Sequence, residues 1–433
     1  MNKRHQFTRR QFVKTSFAAF TTLTILPRHV LGGPRYTAPS ETLTRAVIGT
    51  GGMGMGHVTG LNTKSKLLAV CDVDSQHLNH ALDTVRKSGN EDVKGYADWR
   101  EVIDRKDIDI VHIPTPPHWH ALISIAAAKA GKDIWCEKPM SRTIGEGEAV
   151  VAAIKEHQRI FRLNTWFRFE DRFYGMQTRV KPIKKAVMHG LLGWPLRVTV
   201  GATTGFDWKL NIWTGRTDLT PQPVPANLDY NMWLGPAPEK PYHPHRVHQS
   251  FRGYWDYDGG GLGDMGQHYL DPVQYILGKD DESPIEVESE APKQDLDAVS
   301  VFRQIRLLYK DGCEIILDGE DRDKQAVFIQ GPKGYIKKGK EGMESDIPNI
   351  EDKLATLKDP EPMITDFVTA VKNRQKFALN EVNGHRSCTL INLSKIAWQT
   401  GRVLHFDPIT QRFINDDNAN SYINQPMRGP WKI

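Results

Sequence analysis

Cysteine is scarce in this chain. There are four in 433 residues, Cys71, Cys136, Cys313 and Cys388, and no two stand in C-x-x-C spacing. That argues against a zinc site built from them and makes buried free thiols the expected state. No run of 18 apolar residues exists, which excludes a membrane-embedded body. No internal repeat is visible. Excess charge is also missing, despite a formal net of +5 from 57 Lys+Arg against 52 Asp+Glu. Residues 1–33 hold Lys3, Arg4, Arg9, Arg10, Lys14 and Arg28 and no acidic residue. Without those six cations the count is 51 against 52, so the remaining body offers nothing that would attract nucleic acid or another polyanion. The length suffices for two domains with ordinary cores.

The leader reads as a targeting segment. Thr8-Arg9-Arg10-Gln11-Phe12-Val13-Lys14 precedes a short apolar stretch from Phe17 to Leu26, which Pro27 ends. The pattern is similar to a twin-arginine export signal, which implies a periplasmic protein exported already folded. A cofactor loaded in the cytoplasm would travel with it.

From Leu43 onward, short apolar runs alternate with helical stretches. The runs are Leu43–Ile48, Leu67–Cys71, Ile108–Ile113, Ile134–Cys136 and Ile160–Leu163, with a short strand or turn near Tyr96. Helices are expected at Ser75–Lys87, before Asp104, at His118–Ala130 and at Ile144–Glu156. This rhythm predicts a doubly wound parallel sheet, an α/β fold of Rossmann type. Gly49-Thr50-Gly51-Gly52-Met53-Gly54 follows the first strand and opens a helix, and Asp72 closes the second strand. In such a loop Gly49 permits the tight turn and Gly51 lets the backbone approach a pyrophosphate. Gly54 lets helix and strand pack closely, and the helix N-terminus stabilises the phosphate charge. Asp72 can accept from a ribose diol, and its carboxylate would repel a 2′-phosphate, which favours NAD over NADP. Gly52 and Met53 belong to the same loop.

Cys136-Glu137-Lys138-Pro139 makes the reading specific. A Rossmann half with Glu-Lys-Pro after its fifth strand resembles the Gfo/Idh/MocA family of glucose–fructose oxidoreductase, inositol dehydrogenase and NAD-dependent family 109 glycosidases. Thr115-Pro116-Pro117-His118-Trp119-His120 resembles the family's strand-four loop, and Asp264-Met265-Gly266-Gln267-His268 its Asp-x-x-x-His pair. The resemblance implies a second α/β domain with a large open, mostly antiparallel sheet, often used to form homo-oligomers. It also implies cofactor contacts from Thr115, Pro116, His120, Glu137 and Lys138. Oxidising a secondary alcohol requires a proton acceptor, which His supplies near neutral pH. His268 is therefore expected as principal acid/base, Lys138 as proton relay or polariser, and Asp264, one helical turn before His268, as positioning partner.

Residues 203–258 are rich in Trp, Tyr, Pro and Gly and weakly periodic. Long functional loops are expected there, with Trp208 and Trp255 as faces for sugar rings. Trp166, Arg168 and His118 are further substrate candidates. His243, His245 and His248 lie in an expected loop without an evident carboxylate, so no metal site is expected. Hairpins are expected around Asp311-Gly312 and Gly331-Pro332-Lys333-Gly334, and helices at Met363–Val371 and His385–Thr400. The expected division is a signal at 1–33, an NAD-binding domain at 41–165, a substrate and oligomerisation domain at 166–405 and a tail at 406–433.

Three functions fit these residues. The first is an NAD-dependent oxidoreductase acting on a secondary hydroxyl of a sugar or glycoside, its cofactor retained and recycled. The second is a redox-neutral glycoside hydrolase that oxidises, eliminates, adds water and reduces. The third is a non-catalytic carbohydrate-binding protein. A periplasm offers no NAD pool, which favours a cofactor that stays bound.

Overall fold

The computed structural model describes residues 42–60, 64–165, 167–169, 178–340 and 342–433. The leader at 1–33 and Trp166 lie outside them. Two sheets organise the body. The first contains β1 (Thr44–Ile48), β2 (Lys66–Cys71), β3 (Lys94–Tyr96), β4 (Ile110–Ile113), β5 (Asp133–Glu137) and β6 (Phe161–Asn164), in the order β3-β2-β1-β4-β5-β6. Every pairing is parallel. The central strands are short unbroken apolar runs because helices cover both faces, and Ile110, Val111, Ile113, Ile134 and Cys136 have no accessible surface. The chain reverses its direction across the sheet between β1 and β4, and open α/β sheets bind ligands in that crevice.

The second sheet contains β7 (Arg197–Gly201), β8 (Glu286–Glu290), β9 (Gln304–Leu308), β10 (Glu314–Asp318), β11 (Ile329–Gly331), β12 (Gly334–Lys338), β13 (Met343–Ser345), β14 (Leu404–Asp407) and β15 (Arg412–Phe413). Their order is β13-β12-β11-β7-β10-β9-β8-β14-β15. The pairings are antiparallel except between β7 and β10. Both expected hairpins form, β9–β10 and β11–β12. Helices Gly260–Leu277 and Glu381–Thr400 pack against each other, and the second lies on β8 and β9. Both are buried along nearly their whole length, so their faces make the main core with Ile305, Leu307, Ile315 and Trp398. All four cysteines are free and buried. Among the described residues no helix is long and apolar enough to cross a membrane.

Between β7 and helix Gly260–Leu277 the chain is mostly irregular, yet ordered by its own apolar cluster of Leu228, Tyr230, Trp233, Leu234, Val247, Phe251, Tyr254 and Tyr257. This insertion is tied to the first sheet by backbone bonds. Asp229 N donates to Val73 O at 3.0 Å, and Ser75 N donates to Asn227 O at 2.8 Å. The C-terminal tail closes over the far side: Arg428 donates to Gly235 O at 3.0 Å. Trp431 packs on Trp119, with ring centroids 4.9 Å apart.

Candidate functional site

A cavity of ≈ 620 Å³ runs between the carboxyl ends of the first sheet, the insertion and helix Gly260–Leu277. At one end is the glycine loop. Gly49 has φ +96°, and a Cβ there would press on the backbone of Pro114 at 3.1 Å. A Cβ on Gly54 would stand 2.0 Å from Gly49 O. By contrast nothing lies within 4 Å of a Cβ position on Gly52, and Gly51, Gly52 and Met53 all line the cavity. The helix Gly52–Thr59 begins there without a side-chain cap, leaving its first N–H groups for an anion. Asp72 lines the same end and accepts from Thr50 N at 2.6 Å, which fixes the loop. This cradle fits a dinucleotide. Thr115, Pro116, Glu137 and Lys138 also line the cavity. Glu137 is held beneath it by His57 Nε2 at 2.8 Å and Asn164 Nδ2 at 2.5 Å.

At the other end stand Lys138, Asp264 and His268. Lys138 follows β5, and its Nζ donates to Asp264 Oδ1 at 2.8 Å. Asp264 is on the first turns of helix Gly260–Leu277, with His268 one turn on and on the same face. Asp264 Oδ1 also pairs with Arg252 Nε at 2.9 Å, and Oδ2 accepts from Trp213 Nε1 at 2.9 Å. Burial alone would raise this carboxyl, but Lys138 and Arg252 beside it hold it well below the usual carboxylate range. Asp264 therefore orients Lys138. The imidazole's Nδ1 lies 2.8 Å from Thr165 Oγ1. Burial, reinforced by the Lys138 charge, pushes His268 down to about 3, so the ring is neutral at physiological pH. The unperturbed histidine expected from sequence is thus replaced by a desolvated one.

Residues 43–165 match the model of an oxidoreductase family's NAD-binding Rossmann fold, and residues 176–433 match that family's C-terminal alpha/beta domain. The chain belongs to the Gfo/Idh/MocA oxidoreductase family. It is 30% identical over 199 residues to levoglucosan dehydrogenase of Pseudarthrobacter phenanthrenivorans, covering 46% of this chain and 40% of that protein. It is 29% identical over 161 residues to inositol 2-dehydrogenase of Salmonella paratyphi B, covering 36% and 45%. The chain thus spans less than half the length of these two relatives. In fold it is similar to the WlbA dehydrogenase of Bordetella pertussis in complex with NADH and UDP-GlcNAcA, with TM-score 0.55, 15% identity and coverage of 84% of this chain and 99% of that one.

Within this Gfo/Idh/MocA protein several expected contacts fall elsewhere. Arg168 does not face the cavity. It is 2% exposed and paired with Asp271 at 2.7 Å and Asp280 at 2.7 Å, a buried clamp inside the second domain. Trp208 and Trp255 are core residues whose Nε1 atoms donate to the carbonyls of Val200 and Asp295. His118 is buried against the insertion, its Nε2 2.9 Å from Trp233 O, with burial pushing it down to about 3. His120 lines no part of the cavity. Its two ring nitrogens lie 2.7 Å from the carbonyls of Pro139 and Thr115, so it braces two residues that do. The insertion reaches the cavity instead with Lys209, Trp213, Trp233, His248, Phe251 and Arg252. The three insertion histidines diverge: His243 Nδ1 accepts from His245 N, and His245 Nδ1 lies 2.7 Å from Tyr254 Oη. His248 joins Asp74 and His77, their ligand atoms within 4.8 Å of one another.

Proposed function

We propose that this protein is an NAD-dependent oxidoreductase that acts on a secondary hydroxyl of a sugar or glycoside and keeps its cofactor bound. The carrying observation is one cavity that holds the glycine cradle with Asp72 at one end and Lys138, Asp264 and His268 at the other. NAD, when bound, takes up or returns a hydride. The chain's own groups manage the proton: neutral His268 accepts it from the substrate hydroxyl, while the Lys138 ammonium, held by Asp264, donates a hydrogen bond to the same oxygen and stabilises its developing charge. The aromatic walls of Trp213 and Trp233 fit the apolar faces of a sugar ring.

Retention is supported by the insertion. It fastens itself to the segment just after Asp72 and so closes the ribose end of the cleft. A twin-arginine leader is consistent with loading in the cytoplasm and work in the periplasm. There the cofactor is regenerated by a second substrate, or the reaction is redox-neutral and hydrolytic.

One experiment separates these. Nucleotide released by denaturing the purified full-length protein is identified. Native protein is then incubated with sugars and aryl glycosides while cofactor reduction and aglycone release are followed together. Reduction that is reversed by an added sugar acceptor is the expected result. Aglycone release without net reduction would establish the hydrolytic route. No bound nucleotide and neither signal would overturn the proposal in favour of carbohydrate binding.

A further inference from the structure

Sequence proximity offers the three histidines of the insertion no carboxylate, but the fold supplies one. Asp74 caps helix Ser75–Lys87, His77 lies on the first turn of that helix, and His248 comes from the insertion. One ligand atom from each of the three lies within 4.8 Å of the other two. They stand beside Asp72, whose Oδ2 is 3.8 Å from His77 Nδ1, at the ribose end of the cavity.

Each residue is set in place by contacts of its own. Asp74 is 3% exposed, and its Oδ1 accepts from Gln76 N at 2.8 Å and from Asn227 Nδ2 at 2.9 Å. That fixes the carboxylate and leaves Oδ2 to His248, whose Nε2 lies 3.4 Å away. A charge-assisted hydrogen bond would be shorter, about 2.7–2.9 Å. The observed separation is instead the edge of a tetrahedron around a zinc ion, about 3.4 Å for ligand bonds of about 2.1 Å. The rings of His77 and His248 meet edge to face, with centroids 4.8 Å apart, so neither covers the other. His248 holds φ +52°, a conformation that a non-glycine residue rarely adopts and that persists mainly at positions with a task. Both imidazoles line the cavity and are partly exposed, so an ion can reach them. Two imidazoles and one carboxylate suit a zinc-class ion with a fourth position open, whereas magnesium and calcium take oxygen ligands.

We propose that Asp74, His77 and His248 bind a zinc-class divalent cation that clasps the insertion onto the first domain at the ribose end of the cleft. Two ligands belong to the nucleotide-binding half and the third to the insertion that covers it, so the ion favours the closed arrangement over any in which the insertion lifts. The effect on the nucleotide rests on the reading that the cofactor is retained behind the insertion; the ion site itself does not.

The test uses untagged full-length protein stripped of metal by a chelator and titrated with zinc against a fluorescent competitor. One zinc per chain should bind. His77→Ala and His248→Ala should each weaken it by more than about 100-fold, the upper range for changes one shell farther from a metal. Asp74→Asn, which keeps a helix cap, should weaken it as well. His248 is the most exposed of the three, so H248A tests the site even if the others disturb folding. The affinity for NAD is then measured with and without zinc. Zinc should tighten NAD about tenfold, and NAD should tighten zinc by the same factor. No zinc binding, or equal affinity in wild type and H248A, would overturn the site. Zinc that binds through these residues but leaves NAD affinity unchanged, or weakens it, would overturn the clasp. Neither measurement needs turnover, so failure to oxidise any sugar would count against the functional reading alone.

Discussion

Replacing Asp258, a buried carboxyl beside Asp264, by Asn has a consequence for stability that does not depend on any substrate. In the unfolded chain this carboxyl titrates at its ordinary value of 3.8, and in the fold burial pushes it up to about 7. Between those values the native state binds the proton and the unfolded state does not. Stability contributed by this group is therefore fully present below 3.8, declines as pH rises, and is gone above about 7. At 1.36 kcal/mol per pH unit the full loss is about 4 kcal/mol, and about 3 kcal/mol of it falls between pH 5 and 8. Asn carries no proton to lose. The unfolding free energies of wild type and D258N, measured in urea by tryptophan fluorescence at each pH, should therefore diverge by about 3 kcal/mol in favour of the variant between pH 5 and 8. Asp264 is held ionised across that range in both proteins and cancels in the difference. Parallel pH dependences would refute the assignment of a protonated, buried carboxyl at this position.

Other perturbations test other parts of the site. Asp264→Asn keeps the shape but removes the anion between Lys138 and Arg252; kcat should fall by about 10²-fold in stopped-flow reduction, because the ammonium is no longer oriented. Gly54→Ala places a methyl group 2.0 Å from Gly49 O, so the cradle must open, and the purified protein should carry little or no nucleotide. Paired substitution of Asn227 and His248 by Ala removes the Asn227–Asp74 bond at 2.9 Å and the His248–Asp74 pair at 3.4 Å. Release of bound cofactor, timed by loss of its fluorescence during displacement, should quicken by about tenfold. Arg168→Met leaves Asp271 buried without its partner and should cost about 3–5 kcal/mol of stability with KM unchanged, which separates a structural clamp from a substrate contact.

What could be read in the sequence follows the range of the interactions involved. Helices Ser75–Lys87 and Ile144–Glu156 begin where expected because their starts are fixed locally: Asp74 caps Gln76 N, and Thr143 caps Glu146 N. The glycine loop and Asp72 are legible for a similar reason. Each demands a residue type at a fixed distance from a strand end. The spacing of Asp264 and His268 placed both on one helix face, but a face is not a partner. Lys138 lies 126 residues from Asp264 in sequence, and only the packing of the two halves shows that it takes the carboxylate while Thr165 takes the imidazole.

The insertion was the hardest part to read, and its tryptophans show why. Composition announced an aromatic surface without saying which rings would face it. The deciding factor is where each indole N–H finds an acceptor. Trp208 and Trp255 find backbone carbonyls within the second domain and sink into the core, whereas Trp213 finds the Asp264 carboxylate and is thereby drawn to the cavity. One anion on the long helix thus collects an ammonium from the first domain, a guanidinium and an indole from the insertion, and sets all three around the space where the substrate would bind. The same logic accounts for Asp258. A site that gathers its cations on Asp264 leaves its second carboxyl without an ion pair, and burial then pushes that carboxyl up to about 7.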